Sequence, residues 1–216
     1  SLSLQDKQEL DRLNDNNKPI DVIPICIESN YFKDQIRRKK GEKLKLLFVG
    51  TMSWYPNAHG ISWFIEEVFS KLDENKFELY IVGGNPPSSI TRWSEKSNIH
   101  VVGYVNDVNE YIDMCHVNIV PIFIGSGLRV KIIEAFSKGI PTISTSIGAE
   151  GIEVKNGENI IIANKSEEFI SSLNELYHNE SLLNSIRNEA LKTYEANYSL
   201  NVLARKLNQS ISMPGI

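Results

Sequence analysis

Hydrophobic and polar positions alternate in blocks along most of the chain. From residue 43 onward, short runs of consecutive apolar residues are typical of strands buried on both faces of a parallel sheet. These runs are LKLLFVG (44–50), FELYIVGG (77–84), NIHVVGYV (98–105), VNIVPIF (117–123), IPTIST (140–145) and NIIIAN (159–164). Segments with apolar residues at helical spacing lie between and after them. The alternation predicts an α/β fold with a doubly wound parallel sheet, Rossmann-like in its layout.

The segments with helical spacing predict helices at residues 59–72, 88–96, 107–115, 127–138, 166–179, 180–198 and 200–211. Asp107 is the expected N-cap of its helix. Before the first run, we expect a helix at residues 3–14 with Ser3 as N-cap, and a strand, PIDVIPICI, at 19–27. The basic stretch RRKKGEK (37–43) is interpreted as a solvated linker, which places a domain boundary near residue 40.

Composition and charge narrow the class of protein. The chain has 216 residues, a formal net charge of −4 and a pI of about 5.7, which argues against a nucleic-acid-binding protein. Cys26 and Cys115 lie far apart in apolar surroundings, so we expect free thiols rather than a disulfide. We expect neither a transmembrane helix nor a signal peptide. Because the sequence does not start with Met, we expect a fragment of a longer protein.

Glycines cluster where the predicted strands end. They are Gly50, Gly83, Gly84, Gly103, Gly125 and Gly127. Glycine is common in the turns between strands and helices of any such sheet. Several glycine loops at the carboxyl edge of the strands, where these sheets bind ligands, also fit a ligand that carries phosphate. The cations of the next motif favour the phosphate interpretation.

The stretch GSGLRVKIIE (125–134) combines a glycine-rich turn, two cations and one acid. Backbone N–H groups at a helix start attract anions. Arg129 and Lys131 near that start oppose the helix dipole unless an anion compensates them, which indicates a diphosphate. Glu134 lies about two turns after Gly127, where its carboxylate either accepts hydrogen bonds from a ribose diol or pairs with Lys131 or Lys138.

Several blocks of the sequence, in this order and spacing, resemble the C-terminal domain of group 1 (family 4) glycosyltransferases. They are LLFVGTMSWYPNAHGISWF (46–64), FELYIVGG (77–84), VVGYVNDVNEYIDMCHVNIVPIF (101–123) and GSGLRVKIIEAFSKGIPTISTSIGAEGI (125–152). The resemblance covers about residues 20–210 and implies the two-domain GT-B fold, with this chain as its C-terminal half. Residues 1–40 would be the tail of the N-terminal domain and the interdomain linker. Residues 41–216 would be the donor-binding domain with its C-terminal helices.

The resemblance also implies roles for individual residues. Glu134 would hold the ribose of a nucleotide diphosphate sugar, and Gly127, Leu128 and Arg129 would meet the diphosphate, with Lys131 nearby. Glu134, Arg129 and Lys131 are the residues expected to carry catalysis. The other donor-binding positions are Gly50 and Thr51 at the sugar or distal phosphate, Gly103, Tyr104 and Val105 at the base, Gly83 and Gly84 along the cleft, and Ser126.

Two positions depart from the family's pattern. Many members carry a second glutamate eight positions before the equivalent of Glu134, often assigned to the sugar, and this chain has Ser126 there. Members also carry a cationic pair after the first strand, where this chain has Thr51 at the Arg position and Asn57 and His59 in the Lys region. We therefore expect Arg129 and Lys131 to compensate the phosphate charge.

The implied activity is transfer of a sugar from a nucleotide diphosphate sugar to an acceptor hydroxyl, with retention of configuration and without a metal or another cofactor. An acceptor glycan or lipid-linked glycan would bind through the missing N-terminal domain, so we expect this chain alone to be inactive. The expected location is cytoplasmic, with peripheral association of the full-length enzyme at the inner membrane face during polysaccharide assembly. The alternatives are a non-catalytic nucleotide-binding module and a GT-B-like nucleotide-sugar epimerase.

Overall fold

The computed structural model describes residues 1–14, 19–29 and 35–211. Its strands are β1 (Leu44–Val49), β2 (Phe77–Val82), β3 (Ile99–Gly103), β4 (Val117–Val120), β5 (Thr142–Ser144) and β6 (Ile161–Ile162). They form one six-stranded parallel sheet with the order β3-β2-β1-β4-β5-β6. Each strand falls within one of the predicted apolar runs, so the predicted α/β fold is confirmed.

One helix precedes the first strand, and the others connect the strands or follow the last of them. They are α1 (Leu4–Arg12), α2 (Tyr55–Trp63), α3 (Ser88–Thr91), α4 (Asn109–Met114), α5 (Val130–Lys138), α6 (Ser166–His178), α7 (Glu180–Asn197) and α8 (Leu200–Ile211). A π-helical turn at Phe64–Val68 and a 3-10 turn at Phe69–Lys71 extend α2, and a 3-10 turn at Arg92–Glu95 extends α3. The helix predicted at 59–72 therefore starts four residues earlier, where Pro56 suits the first turn.

Side chains of β1 show that both faces of the sheet are covered. Leu46 and Phe48 are buried in a cluster that also contains Phe64 and Phe169 from the α2 and α6 side. Leu47 points to the opposite face and joins a second cluster with Ile112 of α4. Because side chains alternate along a strand, a run apolar at every position needs apolar partners on both sides.

The strand order places a crevice at the centre of the sheet. Strand β1 lies between β2 and β4, so the chain leaves β1 towards one side and later returns to the other. Ligands of open α/β sheets bind outside the carboxyl ends of the strands at such a switch point. Two loops border it here: the β1 loop, residues 50–54, and the β4 loop, residues 121–129.

Helix α5 starts at Val130, three residues later than predicted. The prediction of a helix from residue 127 is wrong because Gly125 and Gly127 have φ angles of +105° and +89°, outside the right-handed helical region. Arg129 occupies the N-cap position with an extended backbone, φ −92° and ψ 90°. The glycine-rich segment is therefore a loop that precedes the helix.

The segment PIDVIPICI does not form a strand in the structure, so that prediction is wrong. Its prolines, Pro19 and Pro24, have no N–H to donate to a ladder. The N–H of Ile23 donates to the carbonyl oxygen of Ser1, and the N–H of Ile27 donates to that of Tyr198. Tertiary contacts with α1 and the end of α7 thus take the place of sheet pairing.

Side-chain caps were predicted at the starts of two helices, α1 and α4. Ser3 Oγ accepts a hydrogen bond from the N–H of Asp6 at 3.0 Å, which confirms Ser3 as the N-cap of α1. Asp107 accepts from the N–H of Asn109 at 2.8 Å, but α4 begins two residues later than predicted, with Val108 at the cap position.

The predicted boundary near residue 40 lies within a segment that contacts the main fold. Ile36 is buried in the same cluster as β1. Its N–H donates to Asn184 Oδ1 at 2.9 Å, and the guanidinium of Arg38 donates to the carbonyl oxygen of Tyr177. Residues 36–38 are thus fastened to α6 and α7.

Candidate functional site

The β1 loop begins where two glycines let neighbouring strand ends approach each other. A Cβ at Gly83 would overlap the carbonyl oxygen of Gly50, and a Cβ at Gly50 would lie 2.6 Å from Asn57 Nδ2 and 2.9 Å from Lys131 Nζ. The N–H of Gly50 donates to Val82 at 2.9 Å, and the N–H of Gly83 donates to Gly103 at 2.7 Å. Glycine at position 83 is therefore required for space, whereas a Cβ at position 50 would displace the side chains of Asn57 and Lys131.

Lys131 reaches from α5 across to the β1 loop. Its Nζ donates to Asn57 Oδ1 at 2.7 Å, and Asn57 Nδ2 donates to the carbonyl oxygen of Thr51 at 2.9 Å. The ammonium also lies 5.1 Å from the centre of the Phe48 ring. Burial and, to a smaller extent, the nearby cation of Arg129 lower the pKa of Lys131 to about 8, whereas Glu134 opposes the shift.

Arg129 is buried under the β4 loop, with only 6% of its surface exposed. Its Nη1 donates to the carbonyl oxygens of Ser126 at 2.7 Å and Gly127 at 2.8 Å. The guanidinium carbon lies 5.2 Å from the centre of the Trp54 ring, within cation–π range. Burial lowers the pKa of Arg129, and the carboxylate of Glu150 opposes this shift. Nε and Nη2 are buried without a hydrogen-bond partner in the described part of the chain.

Glu134 lies one turn after Lys131 on α5, with its side chain exposed. Within the described ranges its carboxylate makes no ion pair with Lys131 or Lys138 at 4 Å or less. Lys131 is directed instead to Asn57. The alternative of a surface ion pair is therefore not formed here, and Glu134 remains accessible beside the two cations.

The predicted base-binding residues lie at the end of β3, on the other side of β1. Gly103 has a φ angle of +78°, which turns the chain out of the strand. Tyr104 is 78% exposed, and a Cβ at Gly84 would lie 4.0 Å from its Cβ. The side chain of Val105 packs against the cluster around Leu47. Tyr104 thus offers an exposed ring, whereas Val105 offers only its backbone.

A small cavity lies between the β4 loop and α1. Its volume is about 220 Å³, and its lining consists of Ser3, Asp6, Glu9, Ser126, Gly127, Leu128, Glu150 and Gly151. Three of these residues, Ser126, Gly127 and Leu128, belong to the predicted donor-binding set. The cavity therefore adjoins the corner that contains Arg129.

The structure thus divides the predicted site residues into three groups. Gly50, Thr51, Gly83 and Lys131 form one connected corner, and Ser126, Gly127, Leu128 and Arg129 form a second. Gly84, Gly103, Tyr104 and Val105 lie at the β2 and β3 side, and Glu134 stands exposed on α5. Sequence reasoning missed the stacking of Trp54 on Arg129 and the position of Glu150. The latter had a signal, because an acid between small residues in GAEGI follows a buried strand.

His116 and His59 differ in their surroundings. His116 Nδ1 accepts a hydrogen bond from the N–H of Lys45 at 2.9 Å, so it has a structural role between β1 and β4. His59 lies inside α2, with its ring 5.6 Å from Tyr55 and 6.4 Å from Phe123 between ring centres. Its packing among aromatic rings places His59 in the wall behind the β1 loop.

Clusters of metal ligands and membrane-spanning helices are both absent from the described residues. In those ranges no three or more His, Cys, Asp or Glu side chains come together in a way that could hold a metal ion. None of the described helices has the length and apolar content needed to cross a bilayer.

Comparison with known proteins gives the family. Residues 43–179 match the family described as glycosyl transferases group 1. An uncharacterized 44.6 kDa protein in the cps region of Klebsiella pneumoniae is 26% identical over 186 residues, which are 82% of this chain and 47% of that protein.

Solved structures agree in fold. HepE from Anabaena, crystallised with UDP and glucose, has a TM-score of 0.64 and 14% identity over 79% of this chain and 49% of its own. The C-terminal domain of LpcC, a group 1 glycosyl transferase from Francisella tularensis, has a TM-score of 0.61 and 16% identity over 79% of this chain and 96% of that domain. This chain spans about half the length of HepE and of the Klebsiella relative.

The sheet order, the loops at the switch point and the family match lead to the same result. The fold is that of the C-terminal half of GT-B enzymes, and the chain belongs to the group 1 glycosyl transferases.

Proposed function

We propose that this chain binds the sugar donor of a glycosyltransferase, a nucleoside diphosphate sugar, at the corner between the β1 and β4 loops. The full-length enzyme would transfer the sugar to an acceptor hydroxyl. Support comes from family membership and from the position of the corner at the switch point of the sheet. The presence of UDP and glucose in the related HepE structure makes a uridine nucleotide the first ligand to test.

One observation carries the proposal: buried Arg129 and half-buried Lys131 bring two cations near each other at the carboxyl edge of the strands, and neither has a carboxylate ion-pair partner in the described residues. Arg129 keeps Nε and Nη2 without a hydrogen bond there, and Lys131 is held by a neutral amide. Burying a cation without an anion is costly, and a bound anion offsets that cost. A diphosphate supplies the missing charge and accepts hydrogen bonds from the free N–H groups.

The other residues follow from the position of this diphosphate. The backbone of Gly127 and Leu128 would approach its oxygens, and Gly50 and Thr51 would approach the sugar or the distal phosphate. The accessible carboxylate of Glu134 would accept hydrogen bonds from the ribose diol. The base would extend past Gly83 and Gly84 towards Gly103, the exposed ring of Tyr104 and the backbone of Val105.

The geometry also favours a way of assisting the reaction. When the bond between sugar and phosphate breaks, negative charge develops on the leaving nucleoside diphosphate. Arg129 and Lys131 are in place beforehand, and preorganised charges stabilise such a transition state most effectively in a site that excludes water. We propose that these cations do the work of a divalent metal and that transfer retains the anomeric configuration.

The remaining substrates belong to the part of the enzyme outside this chain. Because the chain spans about half of its relatives, we propose that an N-terminal domain binds the acceptor glycan or lipid-linked glycan. Residues 1–40 would then lead from that domain to the donor-binding domain. The Klebsiella relative in the cps region supports a role in polysaccharide assembly, in the cytoplasm at the inner membrane face. This chain alone would bind donor and transfer no sugar.

Calorimetric titration with UDP, GDP and ADP tests the donor site. We expect one of these nucleotides to bind wild-type protein. Glu134→Ala and Arg129→Ala should each weaken binding by about tenfold or more, because each removes hydrogen bonds to a charged group. Glu158→Ala, which removes an exposed glutamate paired with Lys155, is the matched control and should change nothing. Absence of nucleotide binding to wild-type protein, or an affinity of both variants equal to that of wild type, would contradict the proposal.

A further inference from the structure

The β4 loop, residues 121–129, contains no acidic residue. Position 126 is a serine, so the loop has no carboxylate there to accept hydrogen bonds from sugar hydroxyls. Hydrogen bonds to a charged acceptor are roughly twice as strong as neutral ones. A donor site that uses only Ser126 would therefore hold its sugar weakly, unless another segment supplies a carboxylate.

Another segment does bring a carboxylate to the same place. The cavity of about 220 Å³ is lined by Ser126 and Gly127 on one side and by Glu150 and Gly151 on the other. Glu150 follows strand β5, whose carboxyl end lies beside that of β4 in the sheet. Glu150 also lies close enough to Arg129 to oppose the effect of burial on the pKa of its guanidinium. The acid and the serine thus share one space next to the proposed diphosphate.

The backbone holds Glu150 in this place. The turn after β5 is closed by hydrogen bonds from the N–H of Ala149 to Thr145 at 3.0 Å and from the N–H of Gly148 to Thr145 Oγ1 at 2.9 Å. Gly151 turns with a φ angle of +77°, and a Cβ there would lie 3.8 Å from Leu128. This turn therefore sits directly against the β4 loop and presents Glu150 at a fixed position.

We infer that Glu150 accepts hydrogen bonds from hydroxyls of the donor sugar, in place of the acid that this loop lacks at position 126. The inference rests on the proposed donor site. A volume of about 220 Å³ is below the range of about 300–1,000 Å³ typical of pockets for drug-sized ligands, so it fits one sugar ring rather than a nucleotide. The other acids of the cavity, Asp6 and Glu9, lie on the exposed side of α1.

The test compares a nucleotide with and without its sugar. Calorimetry on this chain measures the affinity for UDP, UDP-glucose, UDP-galactose, UDP-N-acetylglucosamine, GDP and GDP-mannose. Glu150→Gln keeps the shape of the side chain and removes its charge. For at least one sugar nucleotide, we expect this variant to weaken binding by about tenfold while binding of the corresponding diphosphate changes less than twofold. Glu158→Gln, which changes an exposed carboxylate outside this cavity, is the matched control and should alter neither.

The outcomes separate this inference from the proposed function. If Glu150→Gln changes diphosphate and sugar nucleotide by the same factor, Glu150 acts through the charge of Arg129 and the inference is wrong. If Glu150→Gln changes neither ligand, the inference is also wrong, while the donor site stands as long as Glu134→Ala weakens both. If no nucleotide binds wild-type protein, the proposed function fails and the inference fails with it. Unchanged thermal midpoints show that both variants fold.

Discussion

The two loops at the switch point use glycine for different reasons. In the β1 loop, Gly50 faces the side chains of Asn57 and Lys131, and its carbonyl occupies the space that a Cβ of Gly83 would need. In the β4 loop, a Cβ at Gly127 would meet no atom within 4 Å, and only the φ angle of +89° requires glycine. The backbone at the start of the β1 loop is closely packed, whereas the β4 loop is an open turn. A site with this division keeps one wall fixed and leaves the other accessible to a ligand.

The largest expected effect comes from adding a Cβ at Gly83, in the closely packed region. Gly83→Ala should destabilise the protein by about 3–5 kcal/mol, or prevent folding, because its Cβ overlaps the Gly50 carbonyl and cannot be relieved by a rotamer change. Gly127→Ala is the matched variant, since it also has positive φ but open space, and should cost about 1–2 kcal/mol. Urea unfolding of both proteins measures the difference. Equal costs would show that space does not distinguish the two loops.

The second effect concerns Lys131 beside the β1 loop and how its charge makes the stability of the protein depend on pH. The pKa of Lys131 is lowered to about 8 in the folded protein, from 10.5. Between these values the unfolded chain binds more protons at this side chain, so stability rises with pH as the folded-state penalty is relieved. Lys131→Met removes that penalty and should stabilise the protein by about 2 kcal/mol at pH 7.

Unfolding free energies of wild type and Lys131→Met, measured from pH 7 to 10.5, test this expectation. The advantage of the variant should shrink steadily above pH 8. A constant difference over the whole range would mean that Lys131 titrates normally in the folded protein. Lys131→Arg is the control, because its side chain stays charged over the whole range. Its unfolding free energy should lack the rise above pH 8 that Lys131 gives the wild type.

The smallest effect tests the link between the two loops. Trp54 belongs to the β1 loop and lies 5.2 Å from the guanidinium of Arg129 in the other. A double-mutant cycle of Trp54→Leu and Arg129→Met should give a coupling energy of about 0.5–1 kcal/mol, because the ring of Trp54 is partly in solvent and weakens the cation–π contact. Additive effects in thermal or urea unfolding would show that the loops are energetically independent.

Sequence patterns predicted the fold because buried parallel strands are apolar at nearly every position. LKLLFVG and FELYIVGG could not be solvent-facing strands or short surface helices, and both are strands in the structure. The apolar residues of PIDVIPICI misled the prediction, because apolar content alone does not show whether a neighbouring strand is free to pair. Only the prolines warned against it.

The sequence predicted which residues belong to the candidate site but not which contacts they make. Glycines and cations are visible in the sequence, but the start of α5 depended on backbone angles that the sequence does not specify. The roles of Arg129 and Lys131 in donor binding stay a prediction, and the two carbonyls bound by Arg129 depend on how the β4 loop folds back. Glu150 was missed because its neighbours in space are distant in sequence.

The interlocking of Gly50 with Gly83 has a consequence for protein engineering. Because the carbonyl of Gly50 fills the space beside Gly83, the ends of β1 and β2 are held together by backbone contacts that do not depend on nearby side chains. Redesign of the proposed donor site should therefore keep Gly50 and Gly83 and vary positions elsewhere, such as Tyr104 and Glu150. Chimeras that exchange the 103–105 and 146–151 segments between relatives are the natural first library.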